Sequence, residues 1–245
     1  MKESLGNSFP DPAPNSNRML NLCQYMENFW SKVPAAQQPV INGRQQNPID
    51  ALASVFPGSD NQWNAELVLL ESGINAAKAG MWGRNAINDD STMAEYLGNE
   101  PDRAIKNIKN VLTALVYHRD GQISQILVNQ ARRVEQMMGD LDTIYLPAMN
   151  RQTRGANYAH WKPVGLQQYW RQWMRGRADI ARVKATTYIE KYMRALQDGY
   201  NSPSIQEFIR QHPNDPASQT GTVLINKINH LQQTVDNAPA WTNPF

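Results

Sequence analysis

Apolar residues recur at three- and four-residue spacing over most of this 245-residue chain, and nowhere at every second position over a useful length. That pattern restricts the fold to helices. The clearest stripe is Ile105, Ile108, Leu112, Leu115 and Val116, with Lys106, Lys109 and Asn110 off it. A helix turns about 100° per residue, so this spacing gathers one apolar face. Asn99 is placed to cap that helix, with Pro101 in its first turn and Asp102 three residues after the cap. Upstream, Trp63, Leu67, Leu70, Ile74, Ala77 and Met81 share a side over residues 61–81. Gly121 separates a further stripe of Ile123, Ile126, Leu127, Val134 and Met137, and Pro147 ends the segment beyond Met137. A long helix is expected over residues 166–197, stopped by Gly199. Ser202 and Pro203 start a short one to His212, and HPNDPASQTG reads as a turn. Leu224, Ile228, Leu231 and Val235 carry a last helix over 223–235. There is no internal repeat.

The two ends read differently. Pro10, Pro12 and Pro14 stand at alternate positions in residues 1–17, which favours an extended backbone. Residues 18–31 read as a first helix through Met19, Leu22, Tyr25, Met26 and Phe29. Residues 32–61 return to loop, with Pro34, Pro39, Pro48 and Pro57 leaving room for a short helical turn at 49–55. A segment this long without periodicity is a linker or a wrapping arm. The tail NAPAWTNPF is extended. The expected class is all-α, an irregular helical bundle with extended N-terminal and C-terminal arms. Its parts are an arm and linker over 1–61, a bundle over 62–236 and a tail over 237–245.

Charged residues make up only 19% of the chain, below the ~25% usual for soluble domains. Amides stand in their place, 24 Asn and 20 Gln. An uncharged surface rich in hydrogen-bonding groups suits wet protein contacts. The single cysteine, Cys23, excludes an internal disulfide and a cysteine-based zinc site. It lies in an apolar stripe and is expected to be a buried structural thiol. No hydrophobic core of a signal peptide is visible at the N-terminus, and no run approaches the ~18 apolar residues of a membrane span.

Enzyme signatures are missing. The chain has no P-loop, no GxGxxG after a strand, no HExxH and no GxSxG. His118, His160, His212 and His230 stand far apart, none with a second ligand at helical spacing. Asp89 and Asp90 read as a helix-cap cluster before Ser91. Asp140 and Asp142 sit at a helix end, and nothing makes the carboxylates converge. No catalytic residue, metal or cofactor is expected.

Net charge is +2, but unevenly spread. Residues 151–194 hold ten basic residues against Asp179 and Glu190, a local net of +8, which leaves −6 for the remainder. Polarised charge speaks of partners rather than fold. On the long helix Arg171, Arg175 and Arg182 fall within roughly 40° of one another. Arg177, Lys184 and Lys191 form a second stripe, running close to Trp170 and Trp173. The preceding stretch adds Arg151, Arg154, Trp161 and Lys162. Two readings compete. The aromatics pack on the bundle while the cations lie over them in water; or the cations neutralise phosphates while the indoles stack on bases of a single strand. No base-reading module is visible, so binding would be independent of sequence.

Arms at both ends suit an assembling subunit, with Phe9, Phe29, Trp30, Trp241 and Phe245 as anchors on neighbouring copies. Repetition of one subunit without closure gives a filament. The expected function is a self-assembling structural protein that coats RNA or DNA, like the coat or nucleocapsid protein of a helical virus. Its partners would be nucleic acid and further copies of itself, in a virion or the host cytoplasm. The alternative is a non-catalytic helical adaptor that meets an acidic protein through the same basic segment.

Overall fold

The computed structural model describes residues 9–11, 16–31, 34–58, 61–145 and 163–245. The fold is all-α. Its helices are α1 (Leu22–Met26), α2 (Pro48–Ala53), α3 (Ser72–Trp82), α4 (Asp90–Asn99), α5 (Pro101–Arg119), α6 (Gly121–Asp140), α7 (Leu166–Tyr200), α8 (Pro203–Gln211) and α9 (Pro216–Asn237). Strands are confined, among the described residues, to two short antiparallel pairs. The chain divides into two units. One comprises Met1–Val68, Gln125–Gly176 and Phe245; the other comprises Leu69–Ser124 and Arg177–Pro244.

In the first unit the N-terminal residues build half of the core. β1 (Phe9–Pro10) pairs with β2 (Met19–Leu20), setting Phe9 opposite Leu20. Asn21 and Gln24 then form a reciprocal capping box, at 2.9 and 3.0 Å, that starts α1. α1 continues as a wider π-helical turn over Glu27–Ser31. β3 (Val40–Ile41) and β4 (Arg44–Gln45) are joined by Asn42 and Gly43, both with positive φ (52° and 76°). A two-residue turn matching the twist of its strands needs left-handed backbone at both positions, which Asn and Gly supply at least cost. Asn47 caps α2 by accepting from the Ile49 N–H at 2.8 Å, with Pro48 in the first helical position. Phe9, Leu20, Tyr25, Trp30, Ile41 and Ala51 pack with Val134, Met137, Met138, Leu141 and Leu166. Burial of each large apolar side chain stabilises by roughly 1.5–3 kcal/mol.

In the second unit α5 packs against α3, α4 and α9, and α8 against α9. The buried stripe of α5 is Ile105, Ile108, Val111, Leu112 and Leu115. α9 answers with Ile228 and Leu231. α7 buries Ala178, Ala181, Ala185, Tyr188, Ile189, Tyr192 and Leu196, a stripe at helical period. Acidic side chains cap the helix starts: Glu71 on Ile74, Asp89 on Thr92, Asp120 on Gln122 and Ile123, Asp215 on Ala217. Gly221 lets α8 lie close on α9, since a Cβ there would meet Ile209 Cδ1 at 3.2 Å.

Several expectations need correction. The first helix is only Leu22–Met26 with its π turn, because Met19 and Leu20 are taken into a strand. Cys23 is exposed, since so short a helix turns Tyr25 inward and Cys23 outward. The helix expected over 61–81 is a 3₁₀ turn at Asn64–Glu66, a non-helical stretch over 67–71, and α3. Asn99 ends α4, and Glu100 occupies the N-cap of α5 without a side-chain bond. Gly199 lies inside α7, and α9 starts at Pro216 within the stretch expected to be a turn. Pro147 and the basic stretch from there to Lys162 fall outside the described residues.

Candidate nucleic-acid interface

The start of α7 is fixed by a buried carboxylate. Asp142, 2% exposed, accepts the backbone N–H groups of Val164 (2.9 Å), Gly165 (2.8 Å) and Leu166 (3.3 Å). A helix leaves its first N–H groups unpaired and carries partial positive charge there, so one carboxylate answers both needs. Gly165 has φ of 81°, a left-handed turn that brings its N–H toward the same oxygen. The charge also acts on Tyr25, whose phenol is pushed above its ordinary range, first by burial and then by Asp142.

One turn further along α7, Trp170 and Trp173 stack with centroids 5.1 Å apart and planes at 25°. Both are half-buried, and Trp170 Nε1–H donates to the Ala131 carbonyl at 2.9 Å. That bond sets the position of the first ring. Arg171 pairs with Glu135 of α6, which also accepts from Gln167 at 3.3 Å. The Arg171 side chain nevertheless stays 53% exposed. Glu135, through its hydrogen bond and then its charge, holds the Arg171 guanidinium above its usual range. Arg175 is exposed, and its Nε–H donates to the Phe245 carbonyl at 3.1 Å. Trp170, Arg171, Trp173 and Arg175 are thus consecutive features of one short helical segment.

In the second unit the cations of α7 have different surroundings. Arg177 donates to the carbonyls of Trp82 and Gly83. Lys184 Nζ donates to Gly80 (2.5 Å), Gly83 (3.1 Å) and Asn85. These are carbonyls at and just beyond the end of α3, where a helix has unpaired acceptors and partial negative charge. Two cations at that end satisfy both. Burial, and secondarily the Arg177 charge, push the Lys184 amine below its ordinary range. Gly80 permits the tight return of the chain, since a Cβ there would meet Ile87 Cα at 2.9 Å. Lys184→Met is expected to lower stability by about 1 kcal/mol, the scale of hydrogen bonds lost to partly solvated carbonyls. A urea midpoint measured by circular dichroism checks this, with nucleic-acid retention unchanged.

Lys191 pairs with Asp90 at 2.6 Å, and Tyr192 donates to the same carboxylate at 2.5 Å. These two bonds, Lys191 first, hold the Asp90 carboxyl below its usual range. Arg182 lies 4.0 Å from Asp179, one turn away on α7. The structure therefore brings Trp170, Arg171, Trp173 and Arg175 together in one unit and binds Arg177 and Lys184 to backbone in the other. Arg151, Arg154, Trp161 and Lys162 lie outside the described residues.

Three of the five aromatic anchors are placed inward. Phe9 and Trp30 are buried in the core of the first unit, and Trp241 is buried in the second. Phe245 is half-buried, and the Phe29 side chain lies outside the described residues. Trp241 joins Trp82 and His118 in an aromatic cluster that periodicity does not announce, because it links α3, α5 and the tail.

Among the described residues no three His, Cys, Asp or Glu side chains gather to hold a metal ion. Among them, too, no helix is long and apolar enough to cross a membrane. Comparison with models of known families, with curated proteins and with solved structures gave no significant match.

Proposed function

We propose that this chain is a self-assembling structural protein that coats nucleic acid without sequence specificity, as coat and nucleocapsid proteins of helical viruses do. The observation that carries the reading is the stacked pair Trp170–Trp173 with Arg171 and Arg175 exposed beside it. Indoles at a helix surface offer π faces to unstacked bases, at about 1–3 kcal/mol per base, and guanidiniums beside them reach the phosphates. The Arg171–Glu135 pair does not oppose this. Arg171 is the exposed end of the pair, so a phosphate can take the place of the carboxylate, and Glu135, only 18% exposed, keeps the Gln167 amide as a donor. Residues 151–162 add Arg151, Arg154, Trp161 and Lys162 just ahead of this helix in sequence. Arg177 and Lys184 are left out of the contact set, because they are half-buried with their donors on carbonyls, whereas Arg175 stays exposed although its Nε–H meets the Phe245 carbonyl.

The test is the double variant Arg171→Glu with Arg175→Glu. Retention of single-stranded nucleic acid is expected to fall at least ~100-fold, since each replaced contact contributes on the order of 1.4 kcal/mol or more. Helicity by circular dichroism should be unchanged. The wild-type affinity should fall steeply with salt, as counterion release requires. Retention equal to wild type would overturn the reading.

A second reading, a helical adaptor for an acidic protein, uses the exposed Arg171 and Arg175 in the same way. It predicts monomers or dimers with a clean protein absorbance spectrum, where a coat protein gives large assemblies carrying nucleic acid.

A further inference from the structure

The tail of the second unit ends in a seat built from donors and acceptors that admit one protonation state. Trp241, 6% exposed, packs against Trp82 and His118 with centroids at 6.2 and 5.2 Å. His118 is 1% exposed. Trp82 Nε1 lies 2.8 Å from His118 Nε2, and His118 Nδ1 lies 2.5 Å from the Ala114 carbonyl. An indole nitrogen can only donate and a carbonyl can only accept. Nε2 is therefore the bare, accepting nitrogen and Nδ1 carries the proton. The ring is neutral, with both nitrogens engaged.

We propose that this seat is an acid-sensitive latch: a proton arriving at His118 Nε2 converts the acceptor of Trp82 into a second donor, and the C-terminal tail carrying Trp241 then leaves the aromatic slot. Two N–H groups would face each other at hydrogen-bond distance with no acceptor between them. The neighbouring indole faces offset part of the charge but accept no linear N–H bond. The charged groups around the ring add to the conflict. Lys78 of α3, which lies 5.4 Å from the Tyr117 centroid, repels an imidazolium, and Arg177 of α7 is bound at the Trp82 carbonyl. Asp120, beyond the end of α5, acts on the Tyr117 phenol.

The tail is the part that moves, for a stated reason. Trp241 Nε1 is buried without a hydrogen-bond partner among the described residues, so leaving the slot returns that donor to water. Trp82 belongs to α3, and its carbonyl is held by Arg177. Burial, followed by Lys78, depresses the basicity of His118, while its bond to Ala114 acts the other way. As pH falls, the released or unfolded form takes up the proton first. The seat is complete above the ordinary histidine value of about 6.5. It is lost as pH falls through that value toward the depressed one.

The test uses the full chain labelled with 5-fluorotryptophan, with Trp241→Phe assigning the resonance of residue 241. Solvent exposure of that resonance, read from its H2O/D2O shift, is followed from pH 8 to pH 5. The ratio of exposed to buried signal is expected to rise at least about tenfold, the scale set by leaving one buried donor unpaired. In His118→Gln the side-chain oxygen accepts from Trp82 and the amide donates, with no titration, so the signal should stay buried. A wild-type signal that stays buried to pH 5 overturns the proposal, as does identical exposure in His118→Gln. Should His118→Gln fail to fold, Trp82→Phe decides. Removing the opposing donor should blunt the release, and release unchanged from wild type overturns the latch.

Discussion

Trp30→Ala is expected to cost about 4 kcal/mol and to unfold the first unit, rather than merely to loosen association between copies. Trp30 is fully buried, with its ring edge-on to Tyr25 at 6.4 Å and Phe9, Leu20, Leu141 and Leu166 in the same cluster. Truncating so large a side chain removes its transfer free energy and leaves a cavity that the neighbours only partly fill, at about 3–5 kcal/mol. Against a total stability of about 5–15 kcal/mol that is a large fraction. Trp30→Phe should cost much less, because the ring volume largely stays. The indole N–H that it deletes has no partner among the described residues. Urea denaturation followed by circular dichroism reads both variants, and sedimentation reads association. A Trp30→Ala protein with wild-type stability and altered sedimentation would place this side chain at an intermolecular contact instead.

That contrast marks where sequence reasoning reached and where it stopped. The stripe over residues 105–116 is dense enough to fix α5, because a residue at every third or fourth position leaves no other surface apolar. Phe9 and Ile41 stand in proline-rich surroundings, and Leu20 and Trp30 fall off the stripe of Met19, Leu22, Tyr25, Met26 and Phe29, so no period connects the four. Their common destination, the end of α6 from Val134 and the π-helical turn Leu141–Tyr145 that follows it, is a long-range fact. One signal was present: the Asn42–Gly43 pair between Ile41 and Arg44 is a strong short-range hairpin mark. α4 is marked in the sequence only by its cap cluster at Asp89 and Asp90, because it buries mainly Met93, one side chain on a polar decapeptide.

The basic segment was legible as charge but not as contact. Counting cations gives +8 over residues 151–194, but not that Arg177 and Lys184 meet carbonyls roughly 100 positions away. Backbone acceptors carry no sequence signature, so a cation that caps a distant helix looks identical to one awaiting phosphate. The pair Trp170–Trp173 was nearer to legible, since residues three apart on a helix are neighbours. What fixed its position, the Ala131 carbonyl and Glu135, again lay on another helix.

Asp142→Asn should cost about 3 kcal/mol, although Asp140, two residues earlier, should tolerate the same change within about 0.5 kcal/mol. The two acids look alike in sequence. Asp142 is buried and accepts three consecutive N–H groups at the head of a 35-residue helix. Hydrogen bonds to a charged acceptor contribute about 1.5–3 kcal/mol, and an amide replaces one of the two oxygens with a further donor facing those same N–H groups. The substitution also removes the negative charge that complements the helix end. A second readout separates this from simple core damage. Amide hydrogen exchange at Val164, Gly165 and Leu166 should speed up in Asp142→Asn and not in Asp140→Asn, because those N–H groups lose their charged acceptor. A fall in the urea midpoint without that change would mean that Asp142 acts through packing alone. Equal losses for Asp140→Asn and Asp142→Asn would remove the basis for assigning the start of α7 to this one carboxylate.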